Sequence, residues 1–152
     1  MQKYSVCLIT CLLVFLGGCG GAQTVSRTKA PSPEQIRTVA FSPESGNSPE
    51  VDSYISDALR LQGVETNPKI PANTRTAADS DAVLTYVDSW RWDMAMYWQS
   101  ITINLYNAKT GDLLVSGRWR DSFLHAFNRG ETISKELLAE MFSKIGAVKA
   151  KD

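Results

Sequence analysis

The chain has 152 residues, 16 basic and 16 acidic side chains, and a single histidine. This length suits one domain with its own hydrophobic core. The balanced charge lacks the clustered basic surplus that nucleic-acid binding requires. One histidine and three cysteines leave few side chains of the kind that hold zinc. Composition therefore favours a single globular domain with no metal and no cofactor.

The first 19 residues have the pattern of a leader segment. Lys3 supplies a positive start, and residues 6–16 form an apolar run of signal-peptide length. This run is shorter than the roughly 20 residues needed to span a bilayer. Leu16-Gly17-Gly18-Cys19 resembles a lipobox. Residues 1–18 are therefore predicted to be a signal peptide, and Cys19 is predicted to carry acyl chains that bind the membrane.

The residues after Cys19 predict the destination and the attachment of the domain. Gly20 stands where aspartate retains lipoproteins of enteric-type bacteria in the inner membrane. By that resemblance, we expect the outer membrane, with the domain facing the periplasm. Residues 19–34 are small and polar, with Pro31 and Pro33, which predicts a flexible tether. About 14 such residues reach about 20 Å. Residues 35–152 are then one globular domain.

Two helices and about five strands are predicted within that domain. Ser48 and Pro49 have the residue types of a helix start, an apolar stripe follows through Gln62, and Gly63 is placed to end the helix. A second apolar stripe predicts a helix over residues 131–148. Alternating residues predict strands at 36–41, 64–66, 82–91, 100–106 and 113–121. The order β-α-β-loop-β-β-β-α predicts an α/β (α+β) two-layer sandwich, with a mostly antiparallel sheet of about four or five strands.

Three of the four tryptophans lie in one short segment, residues 90–98. The chain reads Asp-Ala-Val-Leu-Thr-Tyr over residues 81–86 and Trp-Arg-Trp-Asp-Met-Ala-Met-Tyr over residues 90–97. This resembles a family of small proteobacterial lipoproteins with the pattern D-A-x-L-x-Y-x-x-x-W-x-W-D-[ML]-A-x-Y. The resemblance covers residues 81–121 in detail and the lipobox in outline. It implies an envelope lipoprotein and supplies no catalytic residues.

The aromatic segment has two interpretations. In the structural one, Trp90 and Trp92 share a strand face under the helices, and Asp93 caps a turn before a strand that begins at Ser100. In the functional one, an exposed aromatic–methionine patch receives a partner protein, a lipid or a glycan, because such residues are enriched at adaptable interfaces. The candidate residues of this patch are Trp92, Met94, Met96, Tyr97 and Trp98.

The search for catalytic chemistry finds no strong motif. His125 is the only histidine, and the sequence contains neither a CxxC nor an HxxxH spacing nor a GxSxG elbow. Asp88 and Asp93 are candidates for a carboxylate pair, but solvated or capping roles are the simpler interpretation. Three arginines have two interpretations, a surface for an anionic partner or a solvated strand face, and the solvated face is the simpler one. These arginines are Arg118, Arg120 and Arg129. We therefore expect a protein that is not an enzyme.

These observations predict a non-catalytic, lipid-anchored protein of the cell envelope. Its expected partners are the membrane, through lipid on Cys19, and an envelope protein or glycan, with no nucleic acid. Its expected role is to bind or help assemble another envelope component. The alternative is a carrier that holds a small lipid or glycan against residues 90–98. The sequence leaves the oligomeric state open.

Overall fold

The computed structural model describes residues 21–122 and 129–146. The predicted signal peptide, Cys19, Gly20 and His125 lie outside the described residues. Within them the chain forms six strands and two helices. The strands are β1 (Ala22–Arg27), β2 (Thr38–Phe41), β3 (Glu65–Asn67), β4 (Ala82–Asp93), β5 (Ala95–Asn107) and β6 (Leu113–Arg120). The helices are α1 (Pro49–Leu61) and α2 (Gly130–Ile145).

All six strands belong to one sheet in the order β1-β6-β5-β4-β2-β3. The pairs β1–β6, β6–β5 and β5–β4 are antiparallel, whereas β2 is parallel to both β4 and β3. α1 and α2 contribute their apolar stripes to one large core on a single face of this sheet. The predicted mostly antiparallel two-layer α+β sandwich is confirmed, with one strand more than expected.

Helix α1 begins and ends where its sequence signals predict. Pro49 occupies the first turn, and the acidic residues Glu50 and Asp52 follow it, as the helix dipole favours. Gly63 has a φ of 73°, a left-handed conformation that glycine adopts without strain. The buried stripe that holds the helix on the sheet consists of Val51, Ile55, Ala58 and Leu59.

The predicted tether over residues 19–34 is wrong for residues 22–27, which form the edge strand β1. The strand pairs with β6 from Ala22 opposite Arg120 to Arg27 opposite Val115. Only Val25 within it is buried, so the strand lacks the apolar alternation by which strands are recognised in sequence. Its pairing instead comes from the exposed edge of β6, which offers backbone groups to any adjacent segment.

Side-chain contacts with α2 also hold β1. The Lys144 Nζ donates to the carbonyl oxygen of Val25 at 2.7 Å, and the Gln23 Nε2 donates to a Glu140 carboxylate oxygen at 2.7 Å. Gly21, just before the strand, is packed so closely that a Cβ there would lie 2.6 Å from the Trp119 ring. The chain is therefore part of the folded domain from its first described residue.

The core lies between the sheet and the two helices. The predicted inward face of β5, Ile101, Ile103 and Leu105, is fully buried there. Helix α2 approaches β6 closely at Gly117, where a Cβ would lie 2.9 Å from a Leu137 methyl carbon. On the opposite face of the sheet, the loop 68–80 covers a smaller apolar cluster. That cluster consists of Val83, Tyr106 and Ala108, with Ile70, Ala77 and Leu113 around them.

Candidate functional site

The segment 90–98 forms the end of a long β-hairpin made by β4 and β5. The chain reverses at Met94, and the strands resume directly on either side of it, with Asp93 opposite Ala95. The expectation of a turn before a strand beginning at Ser100 is wrong, because β5 begins five residues earlier, at Ala95. Large cross-strand pairs extend the ladder outward, since facing aromatic side chains stabilise an antiparallel pair. These pairs are Trp90 with Trp98, Arg91 with Tyr97 and Trp92 with Met96.

Three apolar side chains at the end of this hairpin are exposed. Trp92 is 72% exposed, Met94 is 91% exposed and Met96 is 55% exposed, and we name these three residues the tip triad. Met94 has a φ of 58°, a left-handed conformation that is uncommon for a residue other than glycine, asparagine or aspartate. A strained backbone that presents a large apolar side chain to solvent is typical of a functional surface.

The functional interpretation, an exposed patch, is wrong for Tyr97 and Trp98. Tyr97 is 7% exposed and Trp98 is 3% exposed. Trp98 belongs to the main core, where its ring lies 5.9 Å from the ring of Trp90 and 6.2 Å from that of Tyr54 on α1, measured between centroids. These aromatic contacts hold the base of the hairpin against the helical layer.

The structural interpretation is correct for Trp90 and wrong for Trp92. Both residues lie on one face of β4, but only Trp90 packs against the core. The start of α2 approaches this level at Gly130, where a Cβ would lie 2.8 Å from the Tyr54 ring. Trp92 lies two residues farther out and remains exposed. The hairpin is thus longer than the helical layer that supports it.

The carboxylate of Asp88 has a structural role. It accepts hydrogen bonds from the Trp90 Nε1 at 2.6 Å and from the backbone N–H of Ser48, before α1, at 3.2 Å. Asp93 lies five residues farther along the extended strand, at the exposed end of the hairpin. The two carboxylates therefore do not form a catalytic pair. Asp88 instead joins the start of α1 to the base of the hairpin.

Tyr86 joins β4 to α1. Its hydroxyl donates to a carboxylate oxygen of Asp52 at 2.8 Å and lies 3.2 Å from the carbonyl oxygen of Ser48. Burial of the phenol, and then the hydrogen bond to the negative Asp52, raise the pKa of Tyr86 well above its ordinary value. The phenol therefore acts as a hydrogen-bond donor at every physiological pH.

Asp81 holds β2 beside β4. One oxygen of its carboxylate accepts hydrogen bonds from the backbone N–H of Arg37 at 2.8 Å, the backbone N–H of Thr38 at 3.0 Å and the Thr38 hydroxyl at 3.1 Å. Burial alone would raise the pKa of Asp81, but these bonds outweigh it and lower that pKa below its ordinary value. Asp81 and Tyr86 thus both hold elements of the fold together.

The space beside the aromatic base is small. A cleft of about 50 Å³ lies among Tyr54, Trp90, Met96 and Trp98, whereas pockets for small ligands are typically about 300–1,000 Å³. No cluster of three or more His, Cys, Asp or Glu side chains capable of holding a metal occurs in residues 21–122 and 129–146. Neither of the two described helices is long and apolar enough to cross a membrane.

The fold and the site define an α+β sandwich domain with a projecting, apolar-tipped β-hairpin. The chain is similar in structure to a single chain of a PelC dodecamer from Paraburkholderia phytofirmans, with a TM-score of 0.52 and 16% identity over 84% of this chain and 100% of that one. At this identity the likeness concerns the fold alone.

Two further structures match with TM-scores below 0.5. A PDZ domain protein from Parabacteroides distasonis has a TM-score of 0.49 and 11% identity, over 91% of this chain and 39% of that one. A minor lipoprotein from Acinetobacter baumannii has a TM-score of 0.36 and 13% identity, over 76% of this chain and 97% of that one. Because both TM-scores are below 0.5, neither likeness supports a conclusion about this chain. No family model matches the sequence, and no curated protein matches it significantly.

Proposed function

We propose that this chain is a lipid-anchored cell-envelope protein that binds or helps assemble another envelope component without catalysis. The observation that carries the proposal is the lipobox, Leu16-Gly17-Gly18-Cys19. The resemblance of residues 81–97 to proteobacterial lipoproteins supports the same assignment. Because β1 begins at Ala22, only two residues would separate an acylated Cys19 from the first residue of the sheet. The domain would then sit directly on the lipid surface.

Intact mass of the membrane-extracted protein tests the anchor. The expected mass is that of residues 19–152 plus a glyceryl group and acyl chains. The control is Cys19→Ala, which removes the acceptor sulfur and is expected to leave the chain unacylated. An unmodified mass for the wild-type chain would overturn the proposal.

The outer membrane is the proposed location, because Gly20 follows Cys19. Density separation of inner and outer membranes tests this location. The wild-type protein is expected with the outer membrane, and Gly20→Asp is expected to shift it to the inner membrane in a host with enteric-type sorting. Equal distribution of both forms would contradict the sorting proposal while leaving the lipid anchor intact.

The non-catalytic role is supported by the structural roles of Asp81, Tyr86 and Asp88, which serve to join strands and helices. His125→Ala tests the remaining acid–base candidate. The variant is expected to complement a deletion strain as well as the wild type does, at equal protein level. Loss of complementation by a folded His125→Ala protein would overturn the non-catalytic assignment. In-cell cross-linking that enriches no envelope component would overturn the binding role.

A further inference from the structure

One row of residues, paired across four neighbouring strands, includes both the first residue of β1 and a residue of the β4–β5 hairpin. Ala22 of β1 lies opposite Arg120 of β6, Arg120 lies opposite Ser100 of β5, and Ser100 lies opposite Ser89 of β4. The four residues define one end of this part of the sheet, which we name the entry row. The described chain enters the sheet at this row, so the segment that leads back to Cys19 leaves from the same end.

The β4–β5 hairpin continues past the entry row in the same direction. β4 extends four residues beyond Ser89, to Asp93. At about 3.3 Å per residue, the hairpin end projects about 13 Å beyond the row. β1 and β5 are separated by β6, so at about 4.8 Å per strand the start of β1 and the hairpin lie about 10 Å apart sideways.

The covalent distance to Cys19 is shorter than this projection. Gly20 and Gly21 separate Cys19 from Ala22 in the entry row, and consecutive Cα atoms are about 3.8 Å apart, so the Cα atoms of Cys19 and Ala22 can be at most about 11 Å apart. Gly21 is itself packed against Trp119. A lipid on Cys19 therefore holds the entry-row end of the domain at the membrane, and the hairpin projects from that end.

The hairpin end has the chemistry of a segment that enters a lipid interface. The tip triad, Trp92, Met94 and Met96, is exposed, and tryptophan is enriched at the level of lipid headgroups. Arg91 beside it and Arg120 in the entry row are both exposed. Their long side chains suit contact with lipid phosphates while their stems lie along apolar surface. Of the other large exposed apolar residues among those described, Leu61 is the last residue of α1, and Val87 lies on β4 two residues before Ser89 of the entry row.

We propose that the tip triad inserts into the membrane surface that holds the acyl chains of Cys19. This inference rests on the proposed lipid anchor and adds a second attachment point. An acyl anchor alone leaves a domain free to rotate about its attachment. A second contact about 10 Å to the side, estimated from the strand spacing, fixes which faces of the domain point away from the lipid.

Quenching of tryptophan fluorescence by lipid tests the insertion. The full acylated protein is reconstituted into phosphatidylcholine–phosphatidylglycerol vesicles with brominated acyl chains, and compared with Trp92→Phe. Trp98 and Trp119 are buried and Trp90 is half-buried, so the difference between the two proteins reports on Trp92. The expected result is a quenched component that the wild type shows and Trp92→Phe lacks.

Charged substitutions in the tip triad are compared with a charged substitution elsewhere on the surface. The double variant Met94→Asp, Met96→Asp is expected to remain acylated and vesicle-bound but to lose at least half of the lipid quenching of Trp92. Leu61→Asp places one charge at an exposed apolar position away from the hairpin, and is expected to leave the quenching unchanged.

The outcomes separate the insertion from the anchor. If the wild-type protein is acylated and vesicle-bound, but Trp92 is quenched by aqueous acrylamide and not by brominated lipid, the insertion is wrong and the anchor stands. If the protein carries no acyl chains, both proposals are overturned. If an envelope protein, and not lipid, protects Trp92 from acrylamide, the tip triad binds that protein and the insertion is wrong.

Discussion

Trp90 and Trp98 face each other across the β4–β5 hairpin, with ring centroids 5.9 Å apart, at the level where the hairpin leaves the core. Trp98 also meets Tyr54 edge to face, so one aromatic cluster joins the hairpin base to α1. The next pair outward, Trp92 and Met96, has no such support and is exposed. The same segment therefore contains a buried base with a structural role and an exposed end available for binding.

Replacement of Trp98 tests this division. We expect Trp98→Ala to lower the free energy of unfolding by about 3–5 kcal/mol, because it removes a buried ring from the core and leaves a cavity. Trp92→Ala, at the exposed end, is expected to change that free energy by less than about 0.5 kcal/mol. Urea denaturation measures both. Equal effects of the two substitutions would contradict the assignment of base and tip.

The hydrogen bond from Tyr86 to Asp52 predicts a pH dependence. We expect Tyr86→Phe to cost about 1–2 kcal/mol at neutral pH, because the carboxylate loses a buried donor. The raised pKa of Tyr86 means that its stabilising contribution is complete below the ordinary tyrosine value of about 10 and declines above it, where the unfolded chain ionises first.

Denaturation at neutral and alkaline pH measures this contribution. The wild type is expected to lose more stability than Tyr86→Phe between neutral pH and about pH 11, because only the wild type carries a phenol whose pKa is raised by folding. Parallel loss in the two proteins would show that Tyr86 is not responsible.

Asp81 predicts the opposite pH dependence. Because its pKa is lowered in the folded state, its contribution is complete above the ordinary value of about 4 and is lost as the pH falls through the lowered pKa. Asp81→Asn keeps the shape but removes the charge, and is expected to cost about 1 kcal/mol at neutral pH and to lessen the loss of stability in acid. Thermal unfolding from about pH 6 to about pH 2 measures the difference. The exposed residue Asp79 provides the control for the loss of one negative charge, Asp79→Asn.

The close packing of Gly21 against Trp119 predicts that a larger side chain there destabilises the domain and loosens β1. We expect Gly21→Val to lower the free energy of unfolding by about 1–3 kcal/mol, because a side chain there overlaps the Trp119 ring. Amide exchange in residues 22–27 is expected to accelerate with it. Ala22→Val, at the next and exposed position, is the control and is expected to preserve slow exchange. Fast exchange of residues 22–27 in the wild type would contradict the pairing of β1.

Local patterns were sufficient for most elements. The residues around Pro49 and Gly63 predicted both ends of α1, and the alternation of Ile101, Ile103 and Leu105 predicted the buried face of β5. These signals are readable because the sequence periodicity directly reflects which side of a helix or strand meets the core. The exposed strand β1 has no such periodicity, so its sequence predicts a tether and not a strand.

The amino-acid sequence alone was enough to predict the sandwich class, the two helices and an aromatic segment at residues 90–98. The packing of the folded chain was needed to show that Tyr97 and Trp98 are buried while Trp92 and Met96 are exposed, because burial depends on where the helical layer ends. The fold also places the hairpin end and Ala22 at the same end of the sheet. That placement follows from strand register across four strands, which is set by backbone hydrogen bonds between segments distant in sequence.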